Sequence, residues 1–462
     1  MSPEDWAALR RQLTGRLILP GEPGYDLLCR PFNALCDDRV PAAIVRCAGP
    51  EDVRRCLDLA AGSGTPVAAR SGGHSYPAYS TPRDGLVVDL RDLADVEVRA
   101  DGVAVVGAGT RLVEVATALA GAGRCLPLGS CPTVGLAGLT LGGGIGMLDR
   151  AFGLTADRLR SARVVLPDGR LVTASPDSEP DLFWALRGGG GGNFGVVVSF
   201  EFATEAAPDL AVFAMDFPAG SAVEVFGGWQ EWITRVPSRM WANCTLTGGA
   251  AVGCRVVGCW VGGPDAGRSL LAELVRSVGT SPGQGMFRAA DFLTATRHFA
   301  GCSEIPPACC RLRDEGGVLP RVGFVASSRV LTRPVGAAAL VGLLEGSEGV
   351  VVEVDPLGGV IAEVDAAATA FPHRSAFATA QVYATATAED RVHRTRLVFE
   401  VQRGPGRTRG HRGVHQLSRP GPIRLGDRQL RPQPRATARD RTALRPGRRS
   451  RLPTGPGLTR PI

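Results

Sequence analysis

The chain has 462 residues, 44% of them hydrophobic and 21% charged, which is typical of globular proteins and long enough for two or more domains. Its six His and 12 Cys include no Cys-x-x-Cys pair, which argues against a structural zinc site. No signal-peptide pattern and no apolar run of about 18 residues is present, so we expect a cytoplasmic protein without a membrane partner.

The net charge of +7 is unevenly distributed. Residues 391–462 hold 19 of the 52 basic residues, all of them Arg, and only three acidic ones. The preceding 390 residues hold 33 Arg and 42 acidic residues, so the body of the chain is acidic. A nucleic-acid-binding function would therefore depend on the tail alone, and we expect no nucleic-acid partner.

Short strands alternate with helices in the first part of the chain. Strands are predicted over 42–46, 66–70, 85–90 and 103–107, helices over 51–61 and 111–120, a hairpin over 163–173 around a Pro-Asp-Gly turn, and a β-rich run over 194–202. We place the end of this first domain near residue 205.

The second domain spans residues 206–390 and mixes strands, at 256–261 and 349–354, with helices, at 266–278 and 335–344. From residue 391 onward the chain contains one aromatic residue and nine Pro, and its hydrophobic periodicity ends at Val401. Such a segment buries too little apolar surface to offset chain entropy, so we predict a disordered tail over 391–462. Its composition suggests the hypothesis of a shifted reading frame.

Three glycine-rich loops stand out in the first domain. Residues 70–76 read Arg-Ser-Gly-Gly-His-Ser-Tyr, residues 129–146 contain seven Gly, and residues 188–192 are five consecutive Gly before Asn-Phe-Gly-Val-Val. Glycines let backbone N–H groups converge on an anion. The second loop is no P-loop, since no Gly-Lys-Ser/Thr follows, and its spacing does not fit the Gly-x-Gly-x-x-Gly dinucleotide fingerprint. Three such loops favour one large anionic cofactor.

Together these motifs resemble those of FAD-linked oxidases related to vanillyl-alcohol oxidase and p-cresol methylhydroxylase, and most of all the berberine-bridge-enzyme-like group. The resemblance is strong over residues 35–205 and looser over 206–385. It implies an α+β fold, with a two-part FAD-binding domain of the p-cresol methylhydroxylase type and an α+β substrate domain with an antiparallel sheet. It also implies an oxidase that acts on an alcohol or benzylic group of a sugar or secondary metabolite, with FAD as cofactor and O2 as acceptor.

The resemblance assigns roles to individual residues. His74 would bond to the 8α-methyl carbon of the flavin and Cys131 to ring position 6. The backbone that would hold the pyrophosphate and ribityl chain lies at Ser71, Gly72, Gly73, Ser75, Gly142, Gly143 and Gly146. Gly195 and Val197 would line the adenine end, and Arg70, Gly135 and Gly138 belong to the same predicted cofactor site.

The catalytic base is less well defined. Similar enzymes place a Tyr-x-Asn arrangement near the C-terminus, but residues 391–462 contain neither Tyr nor Asn. Tyr383 is the remaining tyrosine candidate, and His373, with an ordinary pKa of about 6.5, is the second. Three alternatives stay open: a flavin dehydrogenase with another acceptor, a flavin-binding remnant with impaired catalysis, and an RNA-binding protein that uses its Arg-rich tail.

Overall fold

A computed structural model describes residues 1–404, and the remainder of the predicted tail lies outside the described residues. In the first half the helices are α1 (Pro3–Gln12), α2 (Tyr25–Leu28), α3 (Pro50–Ser63), α4 (Leu112–Gly121), α5 (Leu136–Leu141), α6 (Asp149–Phe152) and α7 (Pro180–Leu186). The strands there are β1 (Arg16–Ile18), β2 (Ala43–Arg46), β3 (Val67–Arg70), β4 (Leu86–Asp89), β5 (Val96–Val98), β6 (Val103–Gly107), β7 (Arg124–Cys125), β8 (Leu159–Val165), β9 (Leu171–Ala174), β10 (Val196–Ala203) and β11 (Glu205–Ala206).

The second half follows the same mixed pattern. Its strands are β12 (Leu210–Phe217), β13 (Met240–Thr247), β14 (Gly253–Val261), β15 (Gln284–Ala290), β16 (Phe324–Leu331), β17 (Val350–Pro356) and β18 (Ala378–Thr385). Its helices are α8 (Ala222–Arg235), α9 (Pro264–Val278), α10 (Phe292–Phe299), α11 (Ala337–Leu344), α12 (Val360–Glu363) and α13 (Arg391–Arg403). Among the described residues no helix is long and apolar enough to cross a membrane.

The first half is built in two parts, as the sequence predicts. One part is a four-stranded sheet in the order β1-β2-β4-β3, in which β2, β4 and β3 run parallel. The other is an antiparallel five-stranded sheet in the order β5-β6-β10-β8-β9, which contains the predicted hairpin β8–β9. Leu86 of the first part and Phe200 of the second belong to one hydrophobic core. The glycine-rich loops lie at the ends of these strands.

The second half is organised around the predicted antiparallel sheet, with seven strands in the order β15-β12-β14-β13-β17-β18-β16. Its outer face forms a core with the helices, which includes Trp229 and Leu274. Its inner face contributes Val212 and Trp241 to the core of the first half. The inner face is therefore the surface that meets the domain bearing the glycine-rich loops.

The predicted tail begins with a helix and not with disordered chain. Helix α13 covers the first 13 residues of the segment predicted to be disordered. Val398 and Val401 are buried in the core beneath the seven-stranded sheet. The composition of residues 391–462 as a whole obscured these two apolar positions, which are three residues apart and so lie on one helix face.

A buried ion pair joins the two parallel strands that lead to the first glycine-rich loop. Arg70 and Asp89 are register partners at the ends of β3 and β4, and their side chains are 1% and 0% exposed. Arg70 Nη2 donates to Asp89 Oδ2 at 2.7 Å, and Arg91 Nε donates to Asp89 Oδ1 at 3.0 Å. Burial alone would raise the pKa of Asp89, but Arg70 and Arg91 outweigh it and lower that pKa to about 2.

We predict that Asp89→Asn lowers the free energy of unfolding by about 3–5 kcal/mol, because it leaves the Arg70 guanidinium buried without a counter-charge. Since the folded-state pKa of Asp89 lies below its ordinary value, this contribution is present at neutral pH and is lost as pH falls from about 4 toward 2. Urea unfolding at several pH values measures both effects. Asp58→Asn, which removes an exposed partner of Arg54, is the control and should cost under about 1 kcal/mol. An equal effect of the two substitutions would contradict this prediction.

Candidate active site

The loop after β3 is fixed by two hydrogen bonds and by the conformation of one glycine before it reaches His74. Ser71 Oγ donates to the carbonyl of Ala108 at 2.6 Å, and Arg111 Nη1 donates to the carbonyl of Ser71 at 3.2 Å. Gly73 has a φ of 71°, a conformation that favours glycine. Arg70, a predicted cofactor residue, donates from Nη2 to Asp89 beneath the loop, and its Nε and Nη1 have no hydrogen-bond partner within residues 1–404.

A close backbone contact between two loops requires glycine at two of the predicted cofactor positions. A Cβ at Gly72 would lie 2.1 Å from the backbone nitrogen of Gly135, and a Cβ at Gly135 would lie 2.1 Å from that of Gly72. Neither position can therefore carry a side chain unless the loops separate. This contact brings the loop of His74 against the loop of Cys131.

His74 and Cys131 meet at a shared hydroxyl group. Thr133 Oγ1 lies 2.9 Å from His74 Nε2 and 3.7 Å from Cys131 Sγ. Phe32 stacks on the imidazole with ring centroids 3.9 Å apart. Burial and the positive charge of Arg111 lower the pKa of His74 to about 3, so its ring is neutral at physiological pH. A neutral imidazole and a partly exposed thiol thus stand side by side.

The segment that follows Cys131 contains several glycines and one buried hydroxyl group without a hydrogen-bond partner within residues 1–404. Gly143 has a φ of 113°, and a Cβ there would lie 2.8 Å from the Phe371 ring. Gly138 faces open space. The buried hydroxyl of Thr140 has no hydrogen-bond partner within residues 1–404. The orphaned hydroxyl of Thr140 is a buried polar group that a bound polar cofactor such as FAD would satisfy.

The remaining predicted cofactor residues lie along the same side of the first half. A Cβ at Gly146 would meet the carbonyl of Leu128 at 1.9 Å, so that glycine serves close packing. Gly142 caps α5, and Ser75 Oγ accepts from the Tyr79 N–H at 3.1 Å. Gly195 has a φ of 140° and leads into β10, which contains Val197.

The inner face of the seven-stranded sheet presents a polar wall, formed by Asn243, Glu353, Asp355, Gln381 and Tyr383. Tyr76, which follows His74 by two residues, donates from its hydroxyl to Gln381 Oε1 at 2.9 Å. Tyr383 donates from its hydroxyl to Glu353 Oε1 at 3.2 Å, and Asn243 Nδ2 donates to Asp355 Oδ1 at 2.8 Å. The Tyr76–Gln381 bond therefore joins the polar wall to the loop of His74.

Burial raises the pKa of each carboxyl group and of the tyrosine hydroxyl of the polar wall. Burial, followed by the charge of Asp355, raises the pKa of Glu353, and burial raises the pKa of Asp355. Burial, followed by the charge of Glu353, raises the pKa of Tyr76 to about 12 and that of Tyr383 well above its ordinary value. The polar wall is thus suited to accept protons.

The structure separates the two predicted candidates for the base. Tyr383 lies on β18 two residues from Gln381, on the same face of the sheet, and so belongs to the polar wall. His373 lies in the loop before β18, and its ring packs edge-on against Phe371, which in turn lies against Gly143 and Gly188. Burial lowers the pKa of His373.

Glu353 and Asp355 were not among the predicted site residues. The sequence did carry a signal for them, because β17 alternates buried Val with Glu and Asp over residues 350–356. Two carboxylates on the inner face of a strand that is otherwise buried indicate a polar site. Asn243 and Gln381 are recognised only from the register that aligns β13 and β18 with β17.

The segment of residues 302–315, which contains a disulfide, is linked through Arg111 to the first glycine-rich loop. Cys302 and Cys310 form a disulfide. Farther along this segment, Glu315 accepts from Arg111 Nη2 at 2.5 Å. Arg111 thereby links the segment to the carbonyl of Ser71 in the loop of His74.

Comparison with known proteins agrees with this geometry. Residues 41–175 match the family model described as FAD binding domain. An uncharacterized FAD-linked oxidoreductase, YgaK of Bacillus subtilis, is 35% identical over 63% of this chain and 65% of its own length. The chain spans less than two thirds of the length of the curated relatives that it matches first.

Solved structures cover more of the chain. A chitooligosaccharide oxidase superposes with a TM-score of 0.78 and 27% identity over 86% of each chain. The berberine-bridge-enzyme-like protein 1 of Physcomitrella patens superposes with a TM-score of 0.77 and 25% identity, over 86% of this chain and 87% of its own. These matches confirm the resemblance and the predicted fold class: the chain contains an FAD binding domain, takes FAD as its cofactor, and has the fold of the berberine-bridge-enzyme-like FAD-linked oxidases.

Proposed function

We propose that this protein is an FAD-dependent oxidase whose flavin is attached to both His74 and Cys131, and that it oxidises an alcohol or benzylic group of a sugar or secondary metabolite with O2 as acceptor. The observation that carries the proposal is the Thr133 hydroxyl, which lies within reach of both His74 and Cys131. Relatives named as oxidases of oligosaccharides support a sugar as the substrate.

The chemistry of the two attachment residues suits their proposed roles. The neutral imidazole of His74 would offer a free electron pair to the 8α carbon of the flavin, and the thiolate of Cys131 would bond to ring position 6. Each new bond would replace a C–H bond, with a proton released and two electrons passed to the flavin and on to O2. Thr133 can orient both groups because its hydroxyl donates one hydrogen bond and accepts others. FAD, when bound, accepts two electrons and the hydrogen of the substrate carbon and passes the electrons to O2.

The backbone of the glycine-rich loops would hold the rest of the cofactor. We assign the pyrophosphate and ribityl chain to the backbone of residues 71–75 and 142–146, and the adenine end to Gly195 and Val197. The orphaned hydroxyl of Thr140 supports the buried face of α5 as part of the contact. Gly72, Gly135 and Gly146 serve it by allowing close packing.

We assign proton removal to Tyr383 acting with Glu353. In this step the substrate hydroxyl gives its proton to Tyr383 Oη, and Tyr383 passes its own proton to Glu353 Oε1, with which it already forms a hydrogen bond. The relay needs no free phenolate, which matters because the raised pKa of Tyr383 disfavours one. His373 is the second candidate for the base. We favour it less because its ring packs against Phe371.

The second candidate is a flavin-binding protein with impaired catalysis, which the composition of the tail favours. Residues 391–462 lack the Tyr and Asn that similar enzymes place near the C-terminus. A flavin dehydrogenase with another acceptor would share the same site. Substrate-dependent H2O2 formation supports the oxidase over both alternatives.

Domain organisation, location and partners also stay predictions. A boundary at residue 205 is supported by the position of β12, the first strand of the seven-stranded sheet. A cytoplasmic location predicts reduced Cys302 and Cys310, whereas the disulfide between them is typical of oxidising compartments. Free-thiol counts on the native protein distinguish these locations.

We predict that the purified protein keeps its yellow colour on the polypeptide after denaturation in acid. His74→Ala or Cys131→Ala should each leave one covalent link, and the double variant should release all flavin on denaturation. Cys36→Ala, at a buried thiol in the same half, is the control and should retain both links. Release of all flavin from the unaltered protein would contradict the proposal.

We predict that Tyr383→Phe lowers kcat/KM by about 10²–10⁴-fold, because it removes the proton acceptor while preserving the ring. The rate of the unaltered enzyme should fall as pH drops through the pKa of Glu353, which lies above its ordinary value, since only the ionised carboxylate accepts the proton. Glu353→Gln should abolish this acidic limb. His373→Asn is the comparison, and a larger loss there than in Tyr383→Phe would move the base to His373.

A further inference from the structure

The segment of residues 302–315 begins with a loop that is closed covalently. The disulfide between Cys302 and Cys310 joins its two ends, and both half-cystines are fully buried. Arg297, on the preceding helix α10, donates from Nη2 to the carbonyls of Cys302 and Ser303 at 3.1 and 2.9 Å. The covalent bond and these hydrogen bonds together hold the loop in one conformation.

The disulfide packs on the first turn of helix α4. Val113 forms a small hydrophobic cluster with Cys302 and Cys310, separate from the main core of the first half. Arg311, which follows the disulfide directly, pairs with Glu114 at 2.7 Å. Two neighbouring side chains of α4 therefore contact the segment, so a displacement of the disulfide would also displace the first turn of this helix.

The same turn of α4 holds the loop of Cys131 through its backbone. The Val113 N–H donates to the carbonyl of Pro132 at 3.1 Å, and the Leu112 N–H donates to the carbonyl of Val134 at 3.0 Å. Pro132 is the residue directly after Cys131. Val113 thus contacts the disulfide with its side chain and the loop of Cys131 with its backbone.

The far end of the segment is connected to the other attachment residue. Glu315 accepts from Arg111 Nη2 at 2.5 Å, and Arg111 Nη1 donates to the carbonyl of Ser71 at 3.2 Å. Ser71 precedes His74 by three residues in the first glycine-rich loop. The segment therefore makes two separate connections, one to the loop of each proposed attachment residue.

We propose that this segment positions both flavin-attachment residues. Its disulfide places Cys131 through Val113. Its Glu315 places His74 through Arg111. The inference rests on the proposed function and adds a set of residues that act through others and form no bond to the flavin.

The attachment step explains why such positioning matters. When Cys131 Sγ bonds to ring position 6, the new bond replaces a C–H bond, a proton is released, and two electrons pass to the flavin and on to O2. The sulfur and the ring carbon must be aligned for this step, and a misplacement of about 1 Å can cost on the order of 10²-fold in rate. The bond from His74 to the 8α carbon has the same requirement.

The test follows each link separately in the full-length chain. FAD is added to flavin-free protein, and the flavin that stays on the acid-denatured polypeptide is measured over time. His74→Ala isolates the link to Cys131, and Cys131→Ala isolates the link to His74. We expect Cys302→Ala with Cys310→Ala to slow the Cys131 link about tenfold or more and the His74 link less than about twofold, with the reverse pattern for Glu315→Gln.

Val113→Ala keeps the disulfide and should also slow the Cys131 link selectively, so it decides the case if the double cysteine variant does not fold. Cys309→Ala, at a free thiol of the same segment, is the matched control and should leave both rates unchanged. Equal slowing of the two links, or no slowing, in these positioning variants would overturn the inference while the proposed attachment stands. If neither link forms in the unaltered chain, the proposed function fails with it.

Discussion

The backbone contact between Gly72 and Gly135 is the constraint on which the site depends. It holds the loop after β3 against the loop after Cys131 more closely than any side chain at either position would permit. His74 and Cys131, 57 positions apart in the chain, meet at Thr133 as a consequence. The buried Arg70–Asp89 pair supports this contact from beneath by joining β3 to β4.

The same first loop also connects the two halves of the molecule. Two residues after His74, the Tyr76 hydroxyl reaches Gln381 on the seven-stranded sheet. One short segment therefore aligns the proposed flavin attachment with the polar wall that would bind substrate. Burial of that polar wall raises the pKa values of its carboxyl groups, so the ionised carboxylate of Glu353 is a stronger proton acceptor than an exposed one.

Local patterns in the sequence were sufficient to predict most of the strands of the two sheets in the first half and helices α3 and α4, whereas the antiparallel sheet of the second half was implied by the family resemblance. The proximity of His74 to Cys131 could be predicted only from a family resemblance, because it depends on a contact between distant loops. Glu353 was not predicted although β17 alternates Val with acidic residues, because strand pairing, which local sequence does not encode, decides that this face meets the first half. Helix α13 was not predicted because its few apolar residues lie within a segment whose overall composition is typical of disordered chain.

The central claim is that the two loops present His74 and Cys131 to one flavin. Peptide mass spectrometry of the proteolysed holoprotein tests it most directly. The account predicts a single flavin-bearing species in which the peptide of His74 and the peptide of Cys131 are joined through the cofactor. Recovery of both peptides at their unmodified masses, from protein that had bound FAD, would contradict it.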